Sequence, residues 1–251
     1  MKQTKVDLER VRHHFTYSWW IYALCTGLLI FFWSYAYNLT RYVPPAEKSI
    51  YVSFVGNYVS DELMDTLTQM GEDAFPEMEL IEITHVFLTA SDAETQYAGQ
   101  QRMMVAVAAG EGDVYMVDRS LFKGYADIGA FQPLDDLVAE GGELHDLIPE
   151  ELIQKGTLTT EIEEGDSPEL YGTHVYGIPA EQFYAYYDYN VDPRDYFLVR
   201  TSYSRNPEYA EKMLVLMARQ GMDAERPSWL DETAEREQQA QDEAAQIAPI
   251  G

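Results

Sequence analysis

The sequence contains little cysteine and little positive charge. Its 251 residues include one cysteine, and 17 Lys and Arg residues stand against 43 Asp and Glu residues, a formal net charge of −26. A single cysteine excludes an internal disulfide framework and any cysteine-based zinc site. The negative charge excludes a generic nucleic-acid binder, because phosphates would be repelled, and argues against docking of a large face on an anionic membrane. The chain is not wholly disordered, since 46% of its residues are hydrophobic and 19 are tyrosine.

The sequence also lacks the short motifs of common catalytic and cofactor sites. It has no G-x-G-x-x-G or Walker loop, no G-x-S-x-G elbow, no H-E-x-x-H unit and no D-x-[DN]-x-[DN]-G calcium loop. Cys25 lies in an apolar run, and His85 lies in the middle of a predicted strand, where a structural role is more common than metal ligation. We therefore expect no enzymatic activity, no cofactor and no metal site.

What the sequence does contain is one long apolar run near its start. No charged residue occurs between residues 15 and 40, and a helix over residues 18–37 would cover a bilayer core of about 30 Å. Aromatic residues lie at both ends of this run, as in membrane helices whose rings lie among the lipid headgroups. We predict a transmembrane helix at residues 18–40, in contact with the lipid bilayer.

The basic residues before this helix predict its orientation. Residues 1–17 contain four Lys and Arg residues against two acidic ones, so this stub is expected in the cytoplasm and the rest of the chain outside. The protein would then be a single-pass protein of the cytoplasmic membrane. A cleaved secretory signal is the alternative, since Ser34 and Ala36 have the spacing of a cleavage site before Tyr37. Both interpretations place the remaining chain outside the cytoplasm.

The exported part is more acidic than the whole chain. After residue 42 there are 12 Lys and Arg residues against 41 Asp and Glu residues, a net charge of −29. A solvated acidic surface explains this charge more simply than cation binding, since no calcium loop is present.

After a linker at residues 41–47, the sequence alternates between strand and helix patterns. Strands are predicted at 49–55, 80–88 and 113–118, with a helix after Ser60 and another from Ser91 or Asp92 to Gly110. This alternation predicts an α/β fold with a mostly parallel sheet flanked by helices. Sheets of this type bind ligands beyond the carboxyl ends of their strands.

Four segments resemble the extracellular solute-binding proteins of ABC importers. They are Gly112–Asp118 with its GDV start, Gly129–Leu137 (GAFQPLDDL), Val175–Ala180 with YGIP, and Ser204–Lys212 with NPEYA. They occur in the family's chain order across about residues 48–220. The resemblance implies a periplasmic-binding-protein-like fold, a non-catalytic role, a sugar or peptide as solute, and ABC permease subunits as partners.

The sequence departs from that family in its length. Only about 25 residues separate Pro179 from Asn206, enough for two strands, at 183–189 and 196–200, and too few for a second lobe. We therefore predict one solute-binding-protein-like lobe at residues 48–222, a truncated and membrane-anchored member of the family. The Glu- and Gln-rich residues 223–251 are predicted to form an acidic disordered tail.

Strand-end positions and the resemblance together give the candidate ligand-binding residues. These are Asn57, Tyr58, Asp118, Arg119, Glu181 and Gln182. A tyrosine cluster at 184–189 is interpreted as packing against helices rather than as ligand contact. The leading hypothesis is a membrane-anchored solute-binding-like module associated with an ABC-type importer. The alternative is an extracytoplasmic protein-interaction or regulatory domain that has lost solute binding.

Overall fold

A computed structural model describes residues 8–42, 44–56, 58–88, 93–160 and 172–231. The chain divides into two compact units, residues 1–43 and 44–251. Several predicted features lie outside the described residues. They are the basic residues Lys2 and Lys5, the candidate Asn57, the helix start at Ser91 or Asp92, and the tail beyond residue 231.

The first unit contains one long helix, α1 (Leu8–Thr40). Its segment Trp19–Thr40 is long and apolar enough to cross a membrane, and its side chains are exposed. A secretory signal near the N-terminus satisfies the same criterion. The predicted apolar helix is therefore confirmed as a helix, and it begins earlier in the chain than residue 18.

The second unit is built around a five-stranded sheet. Its strands, in the spatial order β2-β1-β3-β7-β6, are β1 (Ser49–Gly56), β2 (Leu80–Phe87), β3 (Val114–Asp118), β6 (Ile178–Pro179) and β7 (Tyr196–Arg200). β1 pairs in parallel with β2 and β3, whereas β7 pairs antiparallel with both β3 and β6. Four strands thus point in one direction and β7 in the other. The predicted α/β fold with a mostly parallel sheet is confirmed.

A two-stranded sheet, six α-helices and three short 3₁₀ helices complete the described part of this unit. The small sheet pairs β4 (Thr157–Thr160) antiparallel with β5 (Gly172–Val175). The helices are α2 (Asp61–Ala74), α3 (Ala93–Ala108), α4 (Arg119–Asp127), α5 (Asp135–Val138), α6 (Glu150–Gly156) and α7 (Pro207–Met222).

Alternation along the strands directs side chains into two hydrophobic clusters, one on each face of the sheet. In β3, Val114 and Met116 lie in the cluster that includes residues of α2 and α7, whereas Tyr115 and Val117 lie in the cluster that includes residues of α3 and α4. β3 is buried on both faces, which explains its nearly continuous apolar sequence.

The residues between β6 and β7 differ from the prediction. Residues Tyr184–Tyr189 form a 3₁₀ helix rather than a strand, and Asn190 ends it in the left-handed conformation with φ 58°. Tyr186 is fully buried, and its hydroxyl donates to the Met217 carbonyl of α7 at 3.5 Å. Burial of this ring against α7 accounts for the compact turn and confirms the packing interpretation for Tyr186.

The packed part of the chain also extends beyond residue 222. Leu230 is only 7% exposed, and the Trp229 ring contacts the Tyr187 ring edge-on, with the ring centroids 4.9 Å apart. The predicted solvated tail is therefore wrong for these residues, since Leu230 is buried and Trp229 contacts the 3₁₀ helix.

One close backbone contact gives a test of this fold. A Cβ added at Gly156 would lie 1.8 Å from the Gly177 carbonyl oxygen, whereas a Cβ at Gly124 in α4 would meet nothing within 4 Å. Gly156→Ala should lower the free energy of unfolding by about 3 kcal/mol, since backbone atoms must move apart. Gly124→Ala, the matched control, should be neutral or stabilise by about 0.5–1 kcal/mol. Denaturant unfolding of the full chain in detergent measures both; equal effects would contradict the contact.

Candidate functional site

The carboxyl ends of the parallel strands meet at one edge of the sheet, as predicted. β1 ends at Gly56, β3 ends at Asp118, and β6 continues into a 3₁₀ helix at Ala180–Gln182. β7 runs in the opposite direction, so its first residue, Tyr196, lies at this edge and pairs with Asp118. We call this edge the rim and define it by Tyr58, Asp118, Arg119, Glu181, Gln182 and Asp195.

Asp118 serves the local structure of the rim. Its side chain caps α4, accepting a hydrogen bond from the Ser120 N–H at 2.9 Å and another from the Ser120 hydroxyl at 2.6 Å. Such a cap satisfies a backbone donor at the helix start and fixes the angle at which the helix leaves the strand. The next residue, Arg119, is therefore placed directly at the rim.

Arg119 is the residue around which the rim is organised. Its guanidinium donates to Glu181 Oε1 at 2.7 Å and to the Arg194 carbonyl at 3.1 Å. Its Nε lies 3.7 Å from Asp195 Oδ1, and the group lies over the Phe197 ring at 5.6 Å from the centroid. These contacts fix the orientation of a side chain that remains about half exposed to solvent.

Glu181 joins Arg119 to a third charge. Lys155 Nζ, at the end of α6, lies 2.5 Å from Glu181 Oε2, so one carboxylate bridges two cations. Burial alone would raise the pKa of Glu181, but the hydrogen bonds from Lys155 and Arg119 outweigh it and the pKa is lowered. The carboxylate is thus ionised at neutral pH and held in one geometry.

The structure brings together some of the predicted residues and adds others. Arg119 and Glu181 are in direct contact, while Gln182 is half-buried beside Glu181 and Tyr58 is 62% exposed. Lys155 and Asp195 were not predicted. Lys155 reaches the rim only through tertiary packing of α6, and no sequence pattern marks it. Asp195 could have been found, since it directly precedes the strand that returns to this edge.

The side chains of the rim are suited to binding a polar solute through hydrogen bonds. Its carboxylates and partly exposed guanidinium can exchange hydrogen bonds with hydroxyl or amide groups of a solute. Within the described residues, no three His, Cys, Asp or Glu side chains are grouped to hold a metal ion.

Comparison with solved structures finds partial likenesses. The extracellular solute-binding protein family 1 from Alicyclobacillus acidocaldarius matches with a TM-score of 0.35 and 19% identity, over 52% of this chain and 27% of that chain. The N-glycan transport solute binding protein NgtS from Streptococcus pneumoniae matches with a TM-score of 0.34 and 19% identity, over 52% of this chain and 24% of its own. A de novo designed cysteine esterase, ECH19, gives a TM-score of 0.34 and 15% identity, over 53% and 28%.

These matches cover about a quarter of each solved protein's length. No protein-family model matches the chain, and no curated protein matches it significantly. Likenesses of this degree carry no functional argument, so the candidate site rests on its geometry.

The charge bridge at Glu181 gives a pH-dependent prediction. A lowered carboxylate pKa contributes stability that is present above the ordinary value of 4.5 and is lost as the pH falls through the lowered value. Glu181→Gln should therefore cost about 1 kcal/mol at pH 7, and the difference from the unchanged chain should shrink below pH 4.5. Denaturant unfolding of both full-length chains over a range of pH measures this difference in the free energy of unfolding.

The control for this prediction is Glu208→Gln, which removes an exposed i,i+4 pair with Lys212 on α7. It should change stability less than Glu181→Gln at pH 7. A Glu181→Gln effect that is independent of pH would show that the bridge contributes no charge-dependent stability.

Proposed function

We propose that this protein is a membrane-anchored, extracytoplasmic solute-binding-like module of an ABC-type importer, and that it is not an enzyme. Its solute is a small polar molecule, a sugar or a peptide, held at the rim. The observation that carries the proposal is the Arg119–Glu181–Lys155 charge bridge at the carboxyl edge of the sheet, where α/β folds bind ligands.

The four resembling segments support this proposal by their places in the fold. The GDV segment forms β3 and leads into α4, which carries Arg119. The YGIP segment forms β6 and leads to Glu181, and the NPEYA segment begins α7. In the GAFQPLDDL segment, the Leu134 N–H donates to the Val175 carbonyl at 2.7 Å. Two of these segments thus deliver the two central residues of the rim.

The short path from β6 to β7 supports a single lobe. Between Pro179 and Tyr196 the chain forms two 3₁₀ helices and a turn, and β7 then pairs directly with β6. A solute at the rim would therefore be covered from one side only. Binding sites that enclose small ligands usually bury 70–90% of the ligand surface, so one-sided cover predicts weak binding.

Solute binding is tested on the full-length chain in lipid nanodiscs by calorimetry against neutral oligosaccharides and short peptides. We expect saturable binding with a Kd of about 1 mM, which corresponds to about −4 kcal/mol. Arg119→Gln should weaken it roughly tenfold, because a charge-assisted hydrogen bond is lost. Lys212→Gln, which removes one positive charge on α7, should leave it unchanged.

Two results would contradict the transport proposal. One is the absence of binding by every solute in the panel together with copurification of a membrane protein partner, which would favour the protein-interaction alternative. The other is solute binding that Arg119→Gln leaves intact, which would place the solute away from the rim.

The anchor is tested on the mature protein in cell membranes. Exposed aromatic side chains at both ends of the apolar segment, including Trp19 and Tyr37, support an uncleaved membrane helix. We expect the chain to resist alkaline carbonate extraction, and its mass to include residues 18–40. A mature chain that begins at Tyr37 would instead show a cleaved secretory signal.

A further inference from the structure

A cavity of about 380 Å³ lies between the sheet and α3, away from the rim. Tyr51 and Ser53 of β1 and Thr84 of β2 line it on the sheet side, and Met103 and Ala106 of α3 line it on the helix side. The turn between α3 and β3, Gly110–Asp113, forms another wall. This turn precedes β3, so the cavity lies towards the amino end of that strand, whereas the rim lies at its carboxyl end.

The sequence of the strands explains why α3 leaves a space here. On the face towards α2, β1 and β2 carry apolar residues such as Val52 and Ile83. On the face towards α3, the alternate positions include Ser53 and Thr84, whose hydroxyl oxygens are 3.0 Å apart, and Glu82. Because these side chains are polar and Ala106 of α3 is small, this side of the sheet does not pack tightly against the helix, and a cavity remains.

The wall of the cavity is fixed by the buried Asp113, which is 4% exposed. Its carboxylate accepts hydrogen bonds from the Tyr51 N–H at 2.8 Å and from the Ser204 hydroxyl at 2.6 Å. It also accepts from the backbone of Arg205, which brings the Arg205 side chain to the cavity. Since Asp113 is already satisfied by these donors, it holds the wall in place and leaves ligand contact to other side chains.

The two arginines of this cavity differ from the other cations of the unit. From residue 44 to residue 231 the described residues include eleven Lys and Arg side chains, and nine of them form ion pairs. The two that form no ion pair or side-chain hydrogen bond with described residues are Arg102 and Arg205, and both line the cavity. Among the described residues of this unit, an arginine without an acidic partner is therefore an exception.

We propose that this cavity binds a small organic oxyanion, a carboxylate or a phosphate monoester, through Arg102 and Arg205. The planar guanidinium matches such anions with two parallel hydrogen bonds. The hydroxyls of Ser53 and Thr84 then hydrogen-bond to the uncharged part of the ligand. Glu82 and Glu111 also line the cavity, and their carboxylates accept hydrogen bonds from hydroxyl groups of the ligand. The volume lies within the range of about 300–1,000 Å³ typical of small-molecule sites.

The proposal is tested on the full-length chain in nanodiscs at constant ionic strength. The probes are D-glucuronate as a carboxylate, glucose 6-phosphate as a phosphate monoester, and glucose as the neutral counterpart. We expect at least one anion to bind with a Kd of about 1 mM or lower, and glucose to bind at least roughly tenfold more weakly. Which anion binds distinguishes a carboxylate from a phosphate ligand.

Variants separate this cavity from the rim. Arg102→Gln and Arg205→Gln should each weaken anion binding roughly tenfold or more. Ala106→Leu keeps both arginines but fills the space, and should abolish binding without lowering the thermal midpoint by more than a few degrees. Arg219→Gln, which removes an exposed and ion-paired arginine, and Arg119→Gln at the rim should leave anion binding unchanged.

The inference is overturned if neither anion binds at about 10 mM, tenfold above the expected Kd. It is also overturned if binding survives Ala106→Leu and both arginine variants, or if Arg119→Gln abolishes it, since the anion then lies at the rim. Because the rim is tested through Arg119→Gln and the cavity through Arg102→Gln, Arg205→Gln and Ala106→Leu, either proposal can fail while the other stands.

Discussion

The buried carboxylate of Asp113 connects three parts of the fold that are distant in sequence. It binds the backbone of β1 at Tyr51, stands directly before β3, and holds the turn that precedes α7 through Ser204. Burial raises the pKa of Asp113, and the hydrogen bonds from Ser204 and the backbone oppose that rise. A carboxylate in this position is tolerated only while all its donors are present, because an uncompensated buried charge is costly. The register of β1 and β3 and the entry to α7 therefore depend on one another.

Much of the fold could be predicted because the relevant signals are local. The alternation in β1 to β3 and the start of α2 after Ser60 follow from nearest neighbours in sequence. The segment Tyr184–Tyr189 could not be predicted in this way, since its tyrosines favour a strand while burial of Tyr186 against α7 decides the outcome. The burial of Leu230 could not be predicted either, because the acidic sequence around it is typical of a solvated tail.

In the candidate site, too, some residues could be predicted from the sequence and others depend on packing between distant segments. Arg119 and Glu181 could be identified because the strand ends of a parallel sheet converge on one edge and because the resemblance placed the strand before Glu181. Lys155 could not, because α6 places it there by packing. The cavity beneath α3 could have been predicted from the strand sequences. Ser53, Glu82 and Thr84 occupy alternate positions, which places polar side chains on a strand face that a helix covers. That Arg102 and Arg205 have no acidic partner among the described residues follows only from three-dimensional distances.

The antiparallel direction of β7 has a mechanical consequence. This strand begins beside Asp195, which pairs with Arg119 at the rim, and ends at Arg200, five positions before Arg205 at the cavity. Its five residues span about 17 Å of extended backbone, hydrogen-bonded on both sides to β3 and β6. These ladders fix the register of β7, so the strand holds the rim and the segment that leads to Arg205 a set distance apart. Ligands bound at the two places would not touch each other, which lets a substitution alter one site and leave the other intact.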